Sequence, residues 1–322
     1  MAELREKLYQ MFILGTEGGG YKHALKQGLG GIIFFTKDIQ SSSQFKNLIA
    51  EIKSTGKVAP FLSVDQEGGR VERTENIHGG KKYLSAKFAY QKGSEFLKQQ
   101  TKEIAQELAG YGINLNFAPC IDVNTNPDNP IIGERSFSSL PDEVIAGEKI
   151  VSKVYKDFGI IPCVKHFPGH GDANADSHLT LPEIDLPLEV MEKVHIKPFK
   201  AAIDNGIEMV MAAHIHCTCF EQEPVPASLS KNAIDYLREK LNFTGVIISD
   251  DMVMKGVSAF GQESAPLMGI KAGINMFIYR NSGEDVLNMI EKIYQKAIID
   301  NELQQKIDAS YTKIIDLKIR RI

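Results

Sequence analysis

Residues 165–178, Lys165-His166-Phe167-Pro168-Gly169-His170-Gly171-Asp172-Ala173-Asn174-Ala175-Asp176-Ser177-His178, hold three histidines, two aspartates and a lysine. Side chains of these types carry general acid–base, nucleophilic and metal chemistry. An apolar run, Ile160-Ile161-Pro162-Cys163-Val164, leads straight into them. A short apolar run ending in a Gly/Pro-punctuated polar loop reads as a buried strand and the loop at its end. Other reactive side chains also sit at the ends of apolar runs. Asp65 ends one, Asp122 and Arg135 follow the next, His214 and His216 end another, and Asp250 and Asp251 follow Val246-Ile247-Ile248-Ser249. Charges inside apolar runs are costly unless they are paired or face a cavity, and one convergent site explains all of them together. The competing structural reading is a helix N-cap for Asp250 and a loop histidine with a nearby salt partner for His178; for Asp251 the helix N-cap is the expected role.

The elements needed to position these groups follow from periodicity. Eight apolar runs are compatible with buried strands: Met11–Gly15, Gly31–Phe35, Phe61–Asp65, Asn114–Pro119, Pro162–Phe167, Glu208–Ile215, Gly245–Asp250 and Asn275–Arg280. Between them lie helical patterns at Ser43–Thr55, Leu97–Tyr111, Asp142–Phe158, Leu188–Asn205, Lys231–Leu241 and Glu284–Ile299. Strand–helix alternation implies parallel pairing with helices covering the sheet. Eight repeats predict an α/β chain closed into a single (β/α)8 barrel, although the count alone leaves an open doubly wound sheet possible. In a closed barrel the C-terminal strand ends converge on one face, where active sites are built. Ser41-Ser42-Ser43 can cap the first of these helices. Pro141, Asp142 and Glu143 suit a helix start, and Gly112 and Gly159 suit helix stops. The tail Ile299–Ile322 reads as one or two helices, and no linker divides the chain. Residues 1–322 are therefore expected to be one catalytic domain.

Composition bounds the function. The 322 residues are 43% hydrophobic and 24% charged, with a net charge of −4 and no basic stripe, which argues against nucleic acid as a partner. No apolar run is long enough to span a membrane, and Met1-Ala2-Glu3-Leu4-Arg5-Glu6-Lys7 lacks the apolar core of a signal peptide, so a cytoplasmic location is expected. Cys120, Cys163, Cys217 and Cys219 have no metal-site spacing and read as buried free thiols. His214 and His216, at i, i+2 on one strand face, permit a metal-dependent hydrolase reading. Their place late in the chain argues against it, and no metal or other cofactor is expected.

The segment from Lys165 to Pro182 resembles the signature Lys-His-Phe-Pro-Gly-His-Gly-Asp-x-x-x-Asp-Ser-His-x-x-Leu-Pro of bacterial β-N-acetylglucosaminidases in glycoside hydrolase family 3, with every fixed position filled. Asp65-Gln66-Glu67-Gly68-Gly69-Arg70-Val71-Glu72-Arg73, Gly133-Glu134-Arg135-Ser136-Phe137 and Ser249-Asp250-Asp251-Met252 are similar to further parts of the family pattern, in order. The resemblance implies a metal-free retaining β-N-acetylhexosaminidase. Asp250, the first aspartate after the serine, would be the nucleophile, and His178 oriented by Asp176 the acid/base. Asp65, Arg73, Arg135, Lys165 and His166 would bind the sugar, with Asp65 gripping the hydroxyls furthest from the anomeric carbon. Arg70 and Glu67 are expected to brace a loop as an ion pair, and His170 and Asp172 to shape the loop before Asp176. The implied substrate is a cell-wall fragment, N-acetylglucosamine on a 1,6-anhydro-N-acetylmuramyl group, taken by a monomer. Rivals are a β-glucosidase or a phosphorylase of the same family, a metal-dependent amidohydrolase, and a sugar-binding protein without catalysis. The stretch Thr16-Glu17-Gly18-Gly19-Gly20-Tyr21 has no counterpart in the resemblance, which leaves the first βα loop without an expected role.

Overall fold

A computed structural model of the chain describes residues 2–173 and 181–322. Ten strands occur among them. They are β1 (Phe12–Glu17), β2 (Gly31–Phe34), β3 (Phe61–Val64), β4 (Leu115–Asn116), β5 (Ile161–Phe167), β6 (Glu183–Ile184), β7 (Met209–Ala212), β8 (His216–Cys217), β9 (Val246–Asp251) and β10 (Met276–Asn281). Eight close into a barrel in the order β1-β2-β3-β4-β5-β7-β9-β10, and β10 returns to pair with β1. Every neighbouring pair is parallel, with registers such as Gly31↔Phe61, Met209↔Val246 and, at the closure, Phe12↔Phe277. The open doubly wound alternative is thereby removed. Strands β2, β3 and β7 are buried at every residue, as apolar runs sandwiched between a filled interior and a helical shell must be. Strands β6 and β8 form a separate two-stranded ribbon.

The helices begin and end where local chemistry allows. Ser41 accepts from the Gln44 N–H at 3.3 Å and caps Ser42–Thr55; Pro141 occupies the first turn of Pro141–Asp157; Gly112, at φ +81°, ends Ser94–Tyr111. Three expectations need correcting. Leu188–Asn205 is two helices, Leu188–Lys193 and Lys197–Asp204. Pro198 explains the break: in a continuous helix it would lose a hydrogen bond and crowd the carbonyl of Val194, so it sits instead in a new first turn. Lys231–Leu241 is α-helical only to Asp235 and continues as a π turn, Tyr236–Lys240. The fourth strand is shorter than Asn114–Pro119, since Pro119 has no N–H to extend the ladder.

The C-terminal helix Asn301–Arg321, capped by Asp300, packs on the first helix, Leu4–Gln10. Its Lys318 is buried and donates to Gln10 Oε1 and the Gly30 carbonyl, each at 2.8 Å, and lies 4.9 Å from the Phe61 ring centroid. With only neutral groups around it, burial lowers its pKa to about 7. Gln10 and Gly30 precede β1 and β2, and Phe61 opens β3, so this contact covers the N-terminal end of the barrel and leaves the opposite end for the site. No described helix is long and apolar enough to cross a membrane.

Candidate active site

A cavity of about 700 Å³ opens at the C-terminal strand ends. Asp65, which follows β3, lines it together with Arg73 from the same loop, Arg135 from the loop after β4, Lys165 and His166 of β5, and Asp250 of β9. Every sugar-binding residue expected from the sequence and the expected nucleophile thus meet in one space. Its volume falls within the range of about 300–1,000 Å³ usual for small-molecule sites. Asp176 and His178 lie outside the described residues. The segment just before them is held from the other side: the Asn129 amide donates to the His170 carbonyl at 2.8 Å, and Thr125 Oγ1 donates to Asp172 at 2.7 Å. Gly171 is required there, because a Cβ would fall 1.7 Å from the Val123 carbonyl oxygen.

Successive strand residues normally face opposite sides. Lys165 and His166 both reach the cavity because the β5–β7 register shifts between Val164 and Phe167. The Lys165 ammonium, 2% exposed, donates to Asp65 Oδ1 at 2.7 Å and contacts Glu67 Oε1 at 2.6 Å. Glu67 also accepts a two-pronged contact from Arg135, at 2.8 and 2.9 Å. Two carboxylates and two cations thus balance in a buried cluster. Burial alone would raise the Glu67 pKa, but Arg135 and Lys165 overrule it and hold the group well below the usual carboxylate range. The expected Arg70–Glu67 ion pair is therefore wrong. Glu67 is taken by the two deeper cations, while Arg70 donates to the Pro130 and Ile131 carbonyls. Glu67→Gln should cost about 3–5 kcal/mol of stability, as breaking a buried ion pair does by stranding its partners. Urea unfolding beside the wild type measures this, and a loss below about 1 kcal/mol would refute the bracing role.

His166 is held by a group that the sequence reading left without a task. Asp122 is fully buried and accepts from His166 Nδ1 at 2.7 Å, from the His166 and His170 backbone N–H groups at 3.2 and 2.6 Å, and from the Cys120 thiol at 3.2 Å. Burial opposes its charge, yet His166 and His170 hold its pKa well below the usual range. Asp122 fixes the ring and aims Nε2 toward Arg135 Nη2, 3.4 Å away. The signal was present in Cys120-Ile121-Asp122, an acid at the end of an apolar run, but its partner lies 44 residues further on. His170 is 2% exposed, and among the described residues neither of its ring nitrogens has a hydrogen-bond partner. Burial and the nearby His166 hold its pKa down to about 4.

Asp250 and Asp251 end the same strand in unlike surroundings. Asp250 Oδ1 accepts from the Asp251 N–H at 2.7 Å. Burial would raise its pKa, but the His166 and His214 imidazoles, that N–H and Lys165 together lower it. Arg135 pairs with Glu67 instead. Asp251 moves the other way, raised by burial against a contact with Arg280. It accepts from the Val253 N–H at 3.1 Å and caps no helix, which corrects the N-cap expectation.

His214 and His216 diverge, which disposes of a shared metal between them. His214 contacts Ser228 Oγ at 2.6 Å and the Asp251 carbonyl, whereas His216 contacts Glu183 at 3.0 Å and the Glu221 carbonyl. The first βα loop gains a place at the cavity rim, where Glu17 pairs with Lys37 beside Arg280. Gly18, at φ +88°, lets this loop pass Gly283, whose nitrogen would lie 2.7 Å from a Cβ.

The chain belongs to glycosyl hydrolase family 3: the family's N-terminal domain matches residues 3–317. It is similar to a β-hexosaminidase of Methylococcus capsulatus, 32% identical over 82% of this chain and 79% of that protein. It is likewise similar to β-hexosaminidase A of Pseudoalteromonas piscicida, 31% identical over 91% of this chain and 53% of the relative. Among solved structures, a family 3 β-N-acetylglucosaminidase from Paenibacillus sp. superposes with a TM-score of 0.91 at 31% identity, covering 100% of this chain and 63% of that one. The chain thus spans roughly half to four fifths of these relatives.

Proposed function

We propose that the protein is a retaining β-N-acetylhexosaminidase that releases terminal N-acetylglucosamine from peptidoglycan fragments carrying a 1,6-anhydro-N-acetylmuramyl aglycone. The observation that carries this is the convergence of an ionised Asp250 with Asp65, Arg73, Arg135, Lys165 and His166 in one cavity of a family 3 barrel. The names of the relatives supply the N-acetyl preference. In this reading Asp250 attacks the anomeric carbon and forms a glycosyl ester, while His178, oriented by Asp176, protonates the leaving oxygen and then deprotonates water. Asp65 receives the distal hydroxyls, and Lys165 orients its carboxylate. Arg73 and Arg135 add donors, and His166 presents Nε2 to the sugar. A monomer suffices, because all these groups come from one chain.

Hydrolysis of an aryl β-N-acetylglucosaminide beside the matching glucoside, with and without phosphate, tests the reading. A site built to bond an amide discriminates by up to about 10⁴–10⁵-fold when that amide is missing. Equal kcat/KM for the two sugars would contradict the N-acetyl preference. A phosphate-dependent rate with a sugar phosphate as product would replace the hydrolase with the phosphorylase. Prolonged chelation should leave the rate unchanged; loss of activity that added zinc or manganese restores would contradict metal-free catalysis.

A further inference from the structure

On the side of the His166 ring away from Arg135, its Nδ1 meets two buried side chains, Asp122 and Cys120. Cys120 Sγ is 3.2 Å and His166 Nδ1 2.7 Å from the same oxygen of Asp122, and these three ligand atoms all lie within 4.8 Å of one another. The three residues are 2%, 5% and 0% exposed, in the order Cys120, His166, Asp122. A second observation points the same way. The His170 ring, its centroid 5.9 Å from that of His166, is buried with both nitrogens unpartnered among the described residues, and its backbone N–H is already tied to Asp122. A buried imidazole normally has a partner.

We propose that Cys120, Asp122 and His166 form a binding site for a thiophilic divalent cation of the zinc class, and that occupation of this site inhibits the enzyme. One sulfur, one nitrogen and one carboxylate oxygen are a zinc-type donor set, softer than any that magnesium or calcium prefers. Bond lengths of about 2.0–2.3 Å to tetrahedral zinc require donor atoms somewhat further apart than they are here, so an outward shift of about half an ångström admits the ion. Binding exchanges protons for the cation. The Cys120 thiol loses its proton to solvent, and the imidazole carries its proton on Nε2 and offers the Nδ1 lone pair. Thiolate, carboxylate and a doubly charged cation sum to zero, which suits a buried place. Burial and Asp122 keep the Cys120 thiol protonated while the site is empty, so thiolate forms only with the cation.

Inhibition follows from the other end of the His166 ring. A proton on Nε2 faces the Arg135 guanidinium, 3.4 Å away, donor against donor, and pushes the two apart. Both residues line the cavity. The inhibition, unlike the binding, rests on the sugar-binding role proposed for them.

Cadmium titration of the full chain, read by the ultraviolet thiolate-to-cadmium band, tests the site without reference to activity. Zinc inhibition of hydrolysis tests its consequence. Cys120→Ser keeps a donor to Asp122 but removes the sulfur, and Cys120 is no part of the sugar-binding set, so zinc-free turnover should be unchanged. The expected result is one cadmium per chain with a thiolate band that Cys120→Ser loses. Zinc inhibition should weaken in that variant by more than the roughly 10–100-fold that loss of a supporting partner costs. Absence of the band in the wild type, or its persistence in Cys120→Ser, would overturn the site. Equal zinc inhibition of both proteins, or none of either, would overturn the inhibitory role. If the chain hydrolyses no glycoside, the cadmium band still decides the binding.

Discussion

Asp250→Asn should lower turnover by about 10⁴–10⁶-fold, the scale on which hydrolases lose rate when a nucleophile or its partner is removed. The amide is nearly isosteric with the carboxylate, and its oxygen can still accept the Asp251 N–H, so the fold should survive and circular dichroism should be unchanged. What disappears is the charge that attacks the anomeric carbon. The lowered pKa of Asp250 gives this a pH signature. A carboxylate held below the usual range stays ionised as pH falls toward its ordinary value near 4, so it cannot supply an acidic limb between pH 7 and 5. An acidic limb found there belongs to another group. A slow fluorinated substrate should label Asp250 covalently, and NMR should show the β-anomer as first product. An α-anomer as first product would sink the double displacement.

The eight barrel strands were legible because each is an apolar run bounded by polar helices, and buried parallel strands cannot look otherwise. Closure was not legible, since the Phe12↔Phe277 pairing joins opposite ends of the chain and no local pattern records it. The meeting of Asp65, Arg73, Arg135, Lys165, His166 and Asp250 in one cavity follows from their strand-end positions once the barrel is closed. Their partners were harder. In the sequence Glu67 reads only as a loop brace with Arg70. Its real partners, Arg135 and Lys165, come from later strands. Asp122 failed for the same reason. Lys231–Leu241 kept helical periodicity across a switch to a π turn, because a single wide turn leaves the apolar spacing nearly intact.

Replacing His178 should have an effect that depends on the leaving group. A sugar oxygen is a poor leaving group and needs a proton as the bond breaks, whereas a nitrophenolate leaves with little help. General acid catalysis contributes about 10²–10⁴-fold, so His178→Ala should nearly abolish cleavage of a disaccharide. With an activated aryl substrate the first step should be much less affected, and hydrolysis of the glycosyl ester should become limiting for want of a base. Azide needs no deprotonation, so it should accelerate turnover of the variant and yield a β-glycosyl azide. Asp176→Ala should show the same pattern more weakly, because it removes the group that orients the ring and not the proton carrier. Uniform losses across leaving groups, with no azide rescue, would move the acid elsewhere. The structure narrows where to look. Glu67 is held ionised between Arg135 and Lys165 and has no proton to give near neutrality, and His170, with its pKa held down to about 4, is neutral there. Asp172, which accepts from Thr125 beside the same loop, would be the next carboxyl to replace.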